Sequence, residues 1–130
     1  MYRVRFFAVE KKDKSLRIVH TLQPLNAVTI WDLAALPRID KMLDSFARAA
    51  IYGIFDLKSG FDNCILAPAL QDMTTFGANK MGSLRQTTLP QGYTNSLVEF
   101  QRRTMHLIEP MIPEKADVFI DDCALKGPKT

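Results

Sequence analysis

The residues best placed to do chemistry are two adjacent acids, Asp121 and Asp122, set between the apolar runs Val118-Phe119-Ile120 and Cys123-Ala124-Leu125. Two short β-prone runs around a polar pair have the pattern of a buried hairpin, its tight turn made of Asp where Asn-Gly or Asp-Gly is usual. Neighbouring like charges repel, so between apolar walls the pair costs stability unless a cation or a donor neutralises it, and it invites a divalent metal. The same residues also read as a solvated turn in which Asp side chains cap the backbone. A second apolar run, Ile51 to Leu57, ends on the lone acid Asp56 just before a helix-or-loop segment at Ser59-Gly60-Phe61-Asp62. If the two strands are neighbours, three carboxylates converge. An oxygen-donor cluster suits Mg²⁺, which keeps several waters and takes one or two carboxylates plus substrate phosphates. Two such ions on shared acids are the apparatus of in-line phosphoryl or nucleotidyl transfer.

Those acids need a frame, and the patterning supplies one. Residues 3–9 and 16–22 read as strands joined by the charged turn Lys11-Lys12-Asp13-Lys14-Ser15. Pro24 to Trp31 has loop character, with Trp31 read as packing. From Leu36-Pro37 to Arg48, apolar residues recur at helical spacing (Ile39, Met42, Leu43, Phe46), predicting an amphipathic helix with a core-facing stripe and Pro37 in its first turn. Residues 72–76 and 83–88 read as a second strand pair around Gly77 to Gly82. Leu89-Pro90-Gln91-Gly92 is a loop, since its Pro excludes a central strand. Ser96-Leu97-Val98-Glu99 is a capping box, opening a helix whose Leu97, Phe100, Thr104, Leu107 and Ile108 share a face until Pro110 and Pro113 stop it. Strands alternating with two substantial helices predict an α+β layer, an antiparallel sheet with helices on one face.

With 130 residues, 47% of them hydrophobic and 24% charged, the chain has one domain's worth of sequence and enough apolar residues for a core. It has no apolar run long enough to cross a bilayer, and Met1 to Arg5 lacks the apolar centre of a signal peptide, so the expectation is an intracellular protein, cytoplasmic or nuclear, without a membrane partner. Cys64 and Cys123 lack metal-site spacing and read as free thiols. His20 and His106 share no motif and read as ordinary residues. The net charge of +3 is unevenly spread. The first 20 residues hold six cations (Arg3, Arg5, Lys11, Lys12, Lys14, Arg17) against Glu10 and Asp13, a local +4 that leaves the remainder at −1. A basic hairpin suits a polyanion such as a triphosphate or a nucleic-acid backbone, or it is simply a solvated turn.

Taken in order, Phe7-Ala8-Val9-Glu10-Lys11-Lys12-Asp13, Arg17-Ile18-Val19, Leu25-Asn26, Phe55-Asp56-Leu57, Leu89-Pro90-Gln91-Gly92, Asn95-Ser96 with Phe100-Gln101, and Phe119-Ile120-Asp121-Asp122 resemble the successive blocks of a reverse transcriptase, nearest to the gypsy-type long-terminal-repeat retrotransposon branch. The resemblance spans nearly the whole chain. It implies a polymerase palm, residues 31–63 and 96–130, with a partial β-rich fingers region, residues 1–30 and 64–95, in one domain lacking the thumb and RNase H parts. It implies templated addition of a deoxynucleotide to a primer 3′-hydroxyl, with Asp56, Asp121 and Asp122 as catalytic residues holding two Mg²⁺ ions, Mn²⁺ being a possible substitute. Lys11 and Arg17 would grip the triphosphate, Phe61 would lie under the sugar and exclude a ribose, and Gln91 would contact the nucleotide. Lys12, Lys14 and Gly92 would meet the nucleic-acid backbone. The implied partners are an RNA or DNA template-primer duplex, a deoxynucleoside triphosphate and the rest of a polyprotein (thumb, RNase H, integrase). Departures from the family pattern fall at His20-Thr21-Leu22-Gln23, at Asp62, at Gly77 to Gly82 and at Leu97. Two other readings stay open: a non-catalytic remnant that binds nucleic acid, and a chain without independent activity.

Overall fold

The computed structural model describes residues 4–34 and 36–128. In chain order these form β1 (Arg5–Glu10), β2 (Leu16–Thr21), α1 (Gln23–Asn26), α2 (Ile39–Phe46), β3 (Tyr52–Asp56), α3 (Pro68–Gln71), β4 (Phe76–Ala78), β5 (Gly82–Leu84), α4 (Ser96–Ile108), β6 (Ala116–Phe119) and β7 (Asp122–Lys126). Single 3-10 turns sit at Gly60–Asn63, Asp72–Thr74, Asn79–Met81 and Glu109–Met111. No helix of the described residues is long and apolar enough to cross a membrane. The chain divides into two compact units, Met1–Trp31 with Phe61–Ser96, and Asp32–Gly60 with Leu97–Thr130.

In the first unit, β1 and β2 pair antiparallel from Arg5↔Thr21 to Glu10↔Leu16, as their β-branched and aromatic residues predict. The first strand expected from the sequence begins at residue 3, outside the described residues. The connecting turn is closed by Lys11 N–H donating to the Ser15 carbonyl at 2.8 Å, with Lys14 at a φ of 63°. Asp13 accepts from the Ser15 amide (3.1 Å) and hydroxyl (2.7 Å), and these bonds hold its carboxyl below the usual range. Leu22 and Leu25 bury with Val4 against Phe76 and Tyr93. The expected loop from Pro24 therefore begins as a helical turn, because Pro24 fits a first turn and Leu25 buries.

The second strand pair differs from expectation. β4 and β5 pair over Phe76–Ala78 and Gly82–Leu84, meeting the expected strands only at Phe76, Ser83 and Leu84 and otherwise running into the stretch read as the connecting turn. Residues 72–74 form a 3-10 turn, and the hydroxyls of Thr74 and Thr75 bond back to the carbonyls of Gln71 and Asp72, both at 2.6 Å.

In the second unit, β3, β7 and β6 form an antiparallel sheet in that order. Ala116, Val118 and Cys123 share one face of it and are buried, as is Phe100 of α4. Along α4 the buried positions are Ser96, Phe100, Gln101 and Thr104, while Leu107 is 73% exposed. The capping box is not made. The Ser96 hydroxyl has no partner, and Glu99 is engaged by Arg102 and Arg103 at 2.6 and 2.7 Å.

The helix expected from Leu36-Pro37 begins at Ile39, and its stripe is not core: Leu43 is 67% exposed and no α2 residue is buried. With Tyr52, Ile54 and Leu125 the stripe borders an open apolar depression of about 630 Å³. Polar contacts hold α2 instead, with Lys126 Nζ donating to the Ser45 carbonyl at 2.7 Å and the Tyr52 hydroxyl donating to the Phe46 carbonyl at 3.0 Å.

Candidate active site

Phe55-Asp56 closes β3 because the apolar run stops there, and β7 then meets it in register, Ile54↔Ala124, Phe55↔Cys123 and Asp56↔Asp122. Directly opposed residues point to the same face of a sheet, with Cβ atoms about 5 Å apart. Asp56 and Asp122 are thus neighbours, though 66 positions separate them in sequence. Asp121 adjoins them in the turn, where its carbonyl accepts from Leu57 N–H at 2.9 Å. The three acids assigned by sequence share one end of one sheet.

The turn itself corrects the sequence reading. β6 and β7 close on Phe119↔Asp122, so the two turn residues are Ile120 and Asp121, while Asp122 belongs to the ladder. The shift has a backbone cause. Ile120 N–H donates to Gln101 Oε1, Gln101 Nε2 donates to the Val118 carbonyl at 2.9 Å, and the Asp121 carbonyl is taken by Leu57. Ile120 has a φ of 61° while Asp121 stays at negative φ, which is the II′ arrangement that favours Gly at its first central position. A β-branched residue there is strained.

The expected apolar walls are also missing, for Asp56, Asp121 and Asp122 are all exposed. None of the three joins the ion pairs that tie Asp32, Asp40, Asp72, Glu99 and Glu109 to Arg or His side chains. Among the described residues, no group of three or more His, Cys, Asp or Glu is placed so as to hold a metal ion. What fits a hard divalent ion is the donor chemistry: carboxylate oxygens, open to water, two of them on facing strand positions. Cys123 beside them is buried, and burial, then the charge of Asp122, pushes its thiol up, which disfavours a nucleophilic thiolate.

The other assigned residues lie in the first unit. Lys11, Lys12 and Lys14 are exposed on the β1–β2 turn, and Arg17 is exposed on β2 opposite Val9. Phe61 is half-buried in the 3-10 turn Gly60–Asn63. Gln91 and Gly92 are exposed in the Leu89-Pro90-Gln91-Gly92 loop, where Gly92 has a φ of 90°, a conformation that suits glycine. A Cβ on Gly92 would meet no protein atom, so it is the dihedral that requires Gly there.

Sequence reasoning gave no role to two residues that hold these parts. Asn26 fixes the glycine loop, its Nδ2 donating to the Gly92 carbonyl at 2.9 Å and its Oδ1 accepting from Thr94 N–H at 3.0 Å. Gln101, only 4% exposed, holds the acid hairpin. The available signal was an amide among Phe100, Thr104 and Ile108 on a face that should be apolar.

Residues 9–129 match the family described as reverse transcriptase (RNA-dependent DNA polymerase), and the chain belongs to that family. It is 33% identical over 114 residues to the retrovirus-related Pol polyprotein from transposon 412 of Drosophila melanogaster, a match covering 88% of this chain and 9% of that protein. It is 31% identical over 127 residues to the Pol polyprotein from transposon gypsy of the same fly, covering 93% of this chain and 12% of that one. The chain thus spans about a tenth of the polyproteins it resembles. A foamy viral protease-reverse transcriptase solved with double-stranded DNA superposes at a TM-score of 0.83 with 23% identity, covering 98% of this chain and 22% of that one. That likeness carries the α+β reverse transcriptase fold.

Proposed function

We propose that this chain carries the catalytic centre for RNA- or DNA-templated DNA synthesis. The observation that supports it most is Asp56 standing opposite Asp122 with Asp121 in the adjoining turn, all three open to solvent. In the proposed reaction a primer 3′-oxygen attacks the α-phosphorus of a deoxynucleoside triphosphate, an O–P bond forms, and the bond to pyrophosphate breaks. Asp56 and Asp121 would both hold the two Mg²⁺ ions, or Mn²⁺ in their place, with Asp122 a weaker ligand. When bound, these ions would make the hydroxyl more acidic and neutralise the triphosphate and leaving group.

The remaining roles fall to groups of the first unit. Arg17 would grip triphosphate oxygens in pairs through its planar fork, with Lys11 as a point charge. Phe61 would exclude a ribose 2′-hydroxyl by bulk, and Gln91 would contact the nucleotide. Lys12, Lys14 and the backbone at Gly92 would meet the template-primer duplex, and thumb, RNase H and integrase parts of a polyprotein would be its neighbours. Its substrates would place the reaction inside the cell. The fingers and palm are proposed to correspond to the first and second units.

Primer extension on an RNA template with Mg²⁺ or Mn²⁺ tests the proposal. Asp56→Asn and Asp121→Asn are expected to lower extension by more than about 100-fold with an unchanged melting curve. Extension retained in either variant would overturn the assignment. A second reading, a non-catalytic nucleic-acid binder, is favoured by the charge gathered on the β1–β2 turn. Binding that falls steeply with salt, without metal-dependent extension by the wild type, would mark it.

A further inference from the structure

We propose that Gln101 is the positioning residue of the acid hairpin: its side-chain amide holds Ile120 in the left-handed conformation and so sets where Asp121 and Asp122 present their carboxylates. The metal-binding part of this inference rests on the function proposed above; the conformational part does not. Gln101 is 4% exposed, so water does not serve its amide, and both ends of that amide go to one hairpin. Nε2 donates to the Val118 carbonyl at 2.9 Å and Oε1 accepts from Ile120 N–H. β6 is an edge of the sheet, and Gln101 covers the edge groups on either side of Phe119. An edge strand otherwise presents such N–H and C=O groups unpaired.

The clamp acts where the backbone is least willing. Ile120 is a β-branched residue at a φ of 61°, a conformation that persists only when its surroundings over-determine it. Without the bond to its N–H, the Phe119–Ile120 peptide is free to turn. A turn of that peptide redirects Asp121 and loosens the closing pair Phe119↔Asp122, which sets how Asp122 stands beside Asp56. Met at position 101 would match the length of Gln without its bonds, and Asn would keep the amide but be one methylene short of reaching both groups.

The test uses the full 130-residue chain with Mn²⁺ alone as the probe, titrated by electron paramagnetic resonance, beside amide hydrogen exchange on the metal-free protein. Gln101→Met is expected to weaken Mn²⁺ binding by about 10- to 100-fold, the usual effect of losing a group that orients metal ligands. It should also strip protection from the Ile120 amide while β3 stays protected. Adding Ile120→Gly, which adopts positive φ unaided, should recover most of the lost affinity, as a purely structural role would not. Gln101→Asn reads the same losses if Gln101→Met does not fold. Unchanged exchange at Ile120 overturns the inference, as does a loss of Mn²⁺ affinity that Ile120→Gly leaves unrepaired. A wild type that binds no Mn²⁺ while Gln101→Met still frees Ile120 would instead sink the proposed function and leave the positioning role standing.

Discussion

At the residue scale, most of what the site needs follows from side-chain type, and what does not follow is backbone state. An acid closing an apolar run is visible at Asp56 and Asp121-Asp122, so the carboxylates could be found without coordinates. The left-handed φ of Ile120 could not, because a β-branched residue argues against it. His20 gives a similar lesson. Read as ordinary, it packs against the Phe76 ring at 4.7 Å and near the Phe6 ring at 6.4 Å, with Nε2 buried and without a partner. Burial holds its pKa below the ordinary 6.5. The unfolded chain therefore binds the His20 proton at a pH where the folded chain does not. The stabilisation is fully present above the unfolded value and is lost as pH falls through it toward the folded one. Denaturant midpoints compared at pH 7.5 and 5.5 should fall less in His20→Phe than in the wild type. An equal fall in both would remove His20 as the cause.

At the element scale, close approach is what the sequence conceals. A Cβ on Gly60 would stand 2.4 Å from Cζ of Phe100 and 2.9 Å from its Cε2, and that ring is only 3% exposed, so it has no room to swing aside. Gly60→Ala is expected to destabilise the fold by about 1–3 kcal/mol in chemical denaturation, the usual effect of overpacking. Gly77→Ala, whose Cβ would meet nothing within 4 Å, is the matched control and should be close to neutral. A Gly60→Ala midpoint equal to that of Gly77→Ala would show that α4 yields there. Strand existence was legible at β1, β2, β3, β6 and β7, where apolar runs are bounded by turn residues. It was misplaced at β4 and β5, where residues 72–74 form a 3-10 turn and the hydroxyl bonds of Thr74 and Thr75 leave no periodic signal. The clamp from Gln101 was hidden for the opposite reason: periodicity marks its face as buried but cannot say what a buried amide will bond.

At the scale of the whole molecule, the helical stripe of α2 shows where periodicity stops being informative. Spacing fixed the face but not what covers it. Ile39 and Leu43 are 53% and 67% exposed, and Tyr52 and Ile54 of the edge strand β3 are 56% and 75% exposed. Contiguous apolar surface beside an unpaired strand edge drives association between copies or with a partner. The isolated chain is therefore expected to self-associate with rising concentration in sedimentation velocity. Leu43→Lys places a charge in the middle of that surface at a position where a straight-chain residue keeps the helix. It should shift the distribution toward monomer and, because Leu43 is already two-thirds exposed, leave the unfolding midpoint within about 0.5 kcal/mol of the wild type. A loss of several kcal/mol would instead mean that Leu43 is a core residue, as its periodicity alone predicts, and an unchanged distribution would place the contact between copies elsewhere.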